Sequence, residues 1–164
     1  MKKPAHVIEI FLQPGDFYFG DRNTRIRTLL GSCVAITMWH PVLLIGGMCH
    51  YMLPTRGKPA MELDGRYADE AIRLFHLEIG KAGTKPEDYQ VKLFGGGSMF
   101  GLQKGDCKDI PCRNVKAARL LLAEYGHAIS AEHVGMHGHR NVIFDIWSGK
   151  VWMRHVNSIT DERR

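Results

Sequence analysis

The chain has 164 residues, is 45% hydrophobic and 24% charged, and carries a formal net charge of +5. That is enough for one domain with a sizeable core, and too apolar for a disordered segment. No apolar run approaches the roughly 20 residues of a membrane helix. No export signal opens the chain, and neither a long basic run nor a nucleic-acid-binding spacing occurs. The expectation is a cytoplasmic protein, not membrane-inserted, that binds no nucleic acid and whose positive charge favours an acidic partner surface.

Residues 6–12 alternate imperfectly as a first strand, which Pro14-Gly15-Asp16 breaks. Phe17-Tyr18-Phe19 reads as a short core β segment, 20–25 as a turn, and 26–30 as the start of a central unit. Residues 33–39, rich in Val, Ile and Met, fit either a buried strand or the start of a helix. His40-Pro41 ends this run, because the residue before proline avoids the helical region. After Gly46-Gly47 a strand covers 48–53, Pro54 closes it, and 55–62 form a loop.

Residues 64–79 give the clearest helix. Ala68, Ala71, Ile72, Phe75 and Ile79 recur at spacings of three and four and build one apolar face, with Gly80 and Gly83 as stop signals. Residues 89–94 read as a strand running into Gly95-Gly96-Gly97-Ser98, followed by a polar loop over 105–111. Asn114 is the expected N-cap of a second helix reaching about Tyr125, with Val115, Ala118, Leu121, Leu122 and Tyr125 on its apolar face. Residues 128–134 form a strand, 142–146 and 151–156 a hairpin, and 161–164 a polar tail. Two helices against several strands, without repeat or linker, predict an α+β fold in one domain over residues 1–164.

Four cysteines occur: Cys33, Cys49, Cys107 and Cys112. Without an export signal, free thiols are expected, and Cys107 with Cys112 is the only plausible pair for a disulfide. Cys33 stands out within Thr28-Leu29-Leu30-Gly31-Ser32-Cys33-Val34-Ala35-Ile36. Gly31-Ser32 allows a sharp turn and a close approach to a ligand. A helix beginning just after that turn would lower the thiol pKa through its free N–H groups, and those groups would receive an oxyanion. A lone buried cysteine is more often a small hydrophobe.

His50, inside the apolar run Met48-Cys49-His50-Tyr51-Met52, is either a satisfied core histidine or the base for Cys33. On a strand, Cys49 would face away from His50's side. Spacing does not identify a third group that orients the imidazole; Thr28 and Ser32 are both candidates. Gly95-Gly96-Gly97-Ser98 lacks the Lys of a phosphate loop and reads as a place where the chain passes close to another strand or a substrate. His133, His137 and His139, with Glu132, match no standard zinc spacing. Neither a metal nor an organic cofactor is expected.

Taken together, Thr28-Leu29-Leu30-Gly31-Ser32-Cys33-Val34-Ala35, His40-Pro41 and Gly46-Gly47-Met48-Cys49-His50-Tyr51-Met52-Leu53-Pro54 resemble the CheD family of chemoreceptor glutamine deamidases. So do Lys92-Leu93-Phe94-Gly95-Gly96-Gly97-Ser98-Met99-Phe100, Arg113-Asn114-Val115 and the closing segment with Gly138, Arg140, Phe144 and Gly149-Lys150-Val151. The resemblance implies a layered α/β/β/α sandwich like that of cysteine deamidating toxins. It implies hydrolysis of glutamine side-chain amides in the cytoplasmic domains of chemotaxis receptors. It places the nucleophile at Cys33, the histidine at His50 and the threonine at Thr28, and it implies a CheC-like phosphatase as a partner. A non-catalytic adaptor that binds receptor or phosphatase is the alternative. The chain departs from the family pattern at residues 132–137 and at Cys112, where a glycine is common.

Overall fold

A computed structural model describes residues 2–99 and 107–157. Phe100, part of the 105–111 loop and the tail 161–164 lie outside the described residues. Among the described residues nine strands form two sheets. The first holds β1 (Ile8–Leu12), β3 (Thr24–Leu30), β8 (His139–Asp145) and β9 (Lys150–Val156), in that order. The second runs β2 (Phe17–Gly20), β5 (Ile45–Tyr51), β4 (Val34–His40), β6 (Gln90–Gly95) and β7 (Ile129–Val134). The helices are α1 (Ala68–Lys81) and α2 (Ile110–Glu124).

β3 shows why its sheet has an inner face. Thr24, Ile26, Thr28 and Leu30 are buried and the residues between them are not, the period-two pattern of a strand with one face covered. Ile26 and Leu30 join Leu12, Ala35, Trp39, Met48, Phe94, Val142 and Phe144 in a core between the two sheets. A second core lies on the far side of the five-stranded sheet. There Val34, Ile36, Met38, Cys49 and Tyr51 meet Ala71, Ile72 and Phe75 of α1 and Ala118 and Leu122 of α2. Among the described residues both α-helices pack on this side, so the layers run helices, five-stranded sheet, four-stranded sheet. The α+β layered class agrees with the sequence reading.

β4 is buried along its whole length because it is central in its sheet and covered on both faces. That continuous burial removes the alternation which would have marked it as a strand; its pairing with β5 and β6 makes residues 34–40 strand, not helix, with Cys33 in the turn before it. Cys33 therefore has no helix N-terminus behind it. A second correction concerns α2. It begins at Ile110 with Asp109 as its N-cap and a proline in its first turn, so Asn114 lies inside the helix, fully buried, and caps nothing. The third is covalent: Cys107 and Cys112 are joined in a disulfide, Cα–Cα 5.4 Å, while Cys33 and Cys49 are free. Helical winding in the first turn of α2 brings Cys112 back over the segment that enters the helix, within bridging distance.

Candidate active site

The three residues Gly31-Ser32-Cys33 carry the chain from β3 in one sheet to β4 in the other. Thr28, on the inner face of β3, points across the gap between sheets. Its hydroxyl donates to the Leu12 carbonyl of β1 at 2.9 Å and lies 2.6 Å from His50 Nδ1. A hydroxyl has one proton to give. With that proton on Leu12, the contact to His50 is satisfied only if Nδ1 carries the hydrogen and donates it. This leaves Nε2 unprotonated, with its lone pair available as a base.

His50 is buried and is held from both sides of its backbone. Its N–H donates to the Asp16 carbonyl at 3.1 Å, and its carbonyl accepts from Gly15 N–H at 2.7 Å. Burial pushes its pKa down to about 4 against the opposing charge of Asp16, so the imidazole is neutral at pH 7. Its partner across the ladder is Ala35. Cys33 lies in the turn just ahead of β4, two residues before Ala35, and packs against the same between-sheet core as Ala35 and Met48. No hydrogen bond joins the thiol to the imidazole in this state; such pairs are often loose without substrate.

Cys33 is half-buried. Burial raises its pKa, and a hydrogen bond from the Ser32 hydroxyl opposes that. Burial of both groups favours thiol and neutral imidazole over thiolate and imidazolium. Ser32, the other candidate for orienting His50, serves the thiol instead. Cys49 is fully buried among the helix-side residues with its thiol pushed up to about 12, as its opposite strand parity predicts.

The glycine turn does pass close to another segment, and that segment is the turn holding Cys33. Gly96 N–H donates to Cys33 O and Gly97 N–H to Gly31 O, both at 2.9 Å. Gly95 has φ +114°, and a Cβ there would sit 2.2 Å from Cys33 O. Two residues that support this region, both within segments of the family resemblance, receive no site role from the sequence. Asn114 donates through Nδ2 to Ser32 O at 3.2 Å and Met52 O at 2.9 Å. Arg140, fully buried, donates to His133 Nδ1 and to the carbonyls of Gly95 and Gly135. The Asp-Ile-Pro sequence at 109–111 is the signal that would have started α2 early and made Asn114 an interior residue; nothing in the sequence signals the burial of Arg140.

Of the histidines considered for zinc, His133 accepts from Arg140 through Nδ1, whereas the His137 backbone carbonyl lies 2.6 Å from His155 Nε2 and the His137 ring Nδ1 is buried with no hydrogen-bond partner among the described residues. Among the described residues, no three His, Cys, Asp or Glu side chains are grouped as metal ligands.

An accessible thiol and a buried neutral imidazole with a fixed tautomer, on a layered α+β frame, are the equipment of a cysteine-dependent hydrolase. The family described as CheD chemotactic sensory transduction matches residues 52–155. A protein of Dechloromonas aromatica (strain RCB) named "Probable chemoreceptor glutamine deamidase CheD 3" is 53% identical over 151 residues, 92% of this chain and 89% of that one. The corresponding protein of Pseudomonas savastanoi pv. phaseolicola is 52% identical over 157 residues, 94% and 89% of the two chains. One from Leptospira interrogans is 42% identical over 160 residues, 92% and 95%. The chain belongs to the CheD family.

Proposed function

We propose that this chain is a protein-glutamine deamidase that hydrolyses glutamine side-chain amides of chemoreceptors to glutamate. The observation that carries the reading is the Thr28–His50 contact, which fixes a basic Nε2 on the between-sheet side where Cys33 also packs. The names of the relatives, all "Probable chemoreceptor glutamine deamidase", supply the substrate.

His50 Nε2 takes the proton of Cys33 as Sγ attacks the glutamine Cδ, and backbone N–H groups at the turn receive the oxyanion. The imidazolium so formed keeps Nδ1–H on Thr28. It gives its Nε2 proton to the departing ammonia, which leaves a thioester. Neutral His50 then activates water, and the glutamate and the free thiol are regenerated. Burial lowers the imidazole pKa and raises that of the thiol, so the ion pair is disfavoured at rest.

Residues 1–164 act as one catalytic domain in this reading. A CheC-like phosphatase is a proposed second partner, on family resemblance alone, and the proposed location is the cytoplasm. No described helix is long and apolar enough to cross a membrane.

The test is peptide mass spectrometry of a receptor cytoplasmic fragment incubated with the protein and with Cys33→Ala. Defined glutamines should gain the mass of amide-to-acid conversion with the first and not with the second. Conversion at an unchanged rate by Cys33→Ala overturns the scheme.

A further inference from the structure

The reading above needs N–H groups aimed at an oxyanion, and with no helix behind Cys33 another device must hold them. Three successive carbonyls of the turn are each held by a separate donor. Gly31 O accepts from Gly97 N–H, Ser32 O from Asn114 Nδ2, and Cys33 O from Gly96 N–H. In a trans peptide the N–H points opposite to the C=O, and the described chain has no cis bond. Fixing Gly31 O on Gly97 therefore turns the Ser32 N–H away from the glycine turn. Fixing Ser32 O on Asn114 turns the Cys33 N–H away from α2. Among the described residues neither N–H has a protein acceptor.

We propose that Asn114 is a positioning residue that presets the Cys33 N–H as an oxyanion donor. The chemistry of its side chain suits this role. Both contacts are carbonyls, so only the NH2 end of the amide can face them, and that end has two hydrogens to share. The second goes to Met52 O, two residues beyond His50, so one side chain sets the nucleophile turn against the strand that carries the base. The backbone carbonyl of Asn114 accepts the Tyr51 hydroxyl, which ties the same helix turn to β5. The Asn114 Oδ1 is buried with no hydrogen-bond partner among the described residues, so the side chain is held through its NH2 end alone.

The inference rests on acyl transfer at Cys33, and its test is independent of the receptor. Acylation of Cys33 by p-nitrophenyl acetate passes through an oxyanion: Sγ forms the thioester, His50 takes the thiol proton and nitrophenolate leaves. Alkylation by iodoacetamide forms the S–C bond by displacing iodide and has no oxyanion. Both rates are measured on the wild type, on Asn114→Asp, which keeps the shape and loses the donors, and on Asn114→Ala, which leaves room for water instead of a buried charge. Cys33→Ala supplies the background.

Acylation should fall at least about tenfold in whichever variant folds, while alkylation stays within about twofold, since loss of an oxyanion donor itself costs about a hundredfold or more. A smaller fall in acylation, or a parallel fall in both rates, overturns the proposal. A wild type silent towards receptor but showing this split would remove the deamidase reading and leave the role of Asn114 intact.

Discussion

Thr28→Val tests the link between sheet stacking and chemistry. The two side chains have nearly the same shape, so the substitution removes the hydroxyl and little else. It leaves the Leu12 carbonyl without its 2.9 Å donor and His50 Nδ1–H without its 2.6 Å acceptor, in a region where Thr28 and His50 are 1% and 2% exposed. Each orphaned buried group costs about 1–3 kcal/mol, so the protein should lose roughly 2–6 kcal/mol of stability. The catalytic loss is separate. Without its acceptor Nδ1 no longer favours carrying the hydrogen, and the ring is free to place that hydrogen on Nε2, where it blocks proton uptake from Cys33. A drop in kcat of about 10- to 100-fold is expected, less than the roughly 100- to 10,000-fold that a positioned base contributes, because the ring still populates the productive tautomer part of the time. Denaturant unfolding gives the first quantity and ammonia release from a receptor fragment the second. Thr28→Ser, which restores the hydroxyl, should recover most of both. A valine variant with kcat within twofold of wild type, or a serine variant as impaired as valine, would refute the tautomer argument.

Two further outcomes follow from burial and close packing. His50 and His127 are each held near a pKa of about 4, His50 by burial and His127 by burial with help from His76. In the unfolded chain both return to about 6.5, so the unfolded state takes up protons first as pH falls. Stability is complete above about pH 6.5 and is lost towards pH 4, by about 2 kcal/mol per histidine between pH 7 and pH 5. Denaturant melts at the two pH values measure this, and equal stabilities would contradict it. Gly95→Ala places a Cβ 2.2 Å from the Cys33 carbonyl at a φ of +114°. It should destabilise by more than about 1 kcal/mol and slow Cys33 acylation, because the backbone that must yield carries the nucleophile. Melting and acylation rates check it.

The legible parts of this protein were those written in local periodicity. The face of α1 reads directly from Ala68, Ala71, Ile72, Phe75 and Ile79, all of them buried. The opposed parity of Cys49 and His50 reads from strand geometry alone. β4 was ambiguous because a strand covered on both faces has no alternation to read. Asn114 invited misreading because the residue types that cap helices are the types whose side chains reach backbone groups. Here it does reach backbone groups, but those of Ser32 and Met52 across the fold rather than its own helix. That Thr28 and not Ser32 meets His50 depends on β3 stacking across from β5, with Ser32 in the turn outside both sheets, and no spacing along the chain encodes the stacking of two sheets. Composition and an absent signal gave no hint that Cys107 and Cys112 are bonded, since their pairing follows from where α2 starts.

The short crossing at Gly31-Ser32-Cys33 divides the chemical apparatus between two independently hydrogen-bonded sheets. Thr28 belongs to one, His50 to the other, and Cys33 to the hinge between them. Each sheet can keep every rung of its own ladder while the gap between them loosens, and in that condition the imidazole loses its orienting hydroxyl. In the proposed mechanism turnover therefore reports the closure of the interior rather than the integrity of the secondary structure, and a swollen form with native strands and helices is expected to release no ammonia from a receptor fragment.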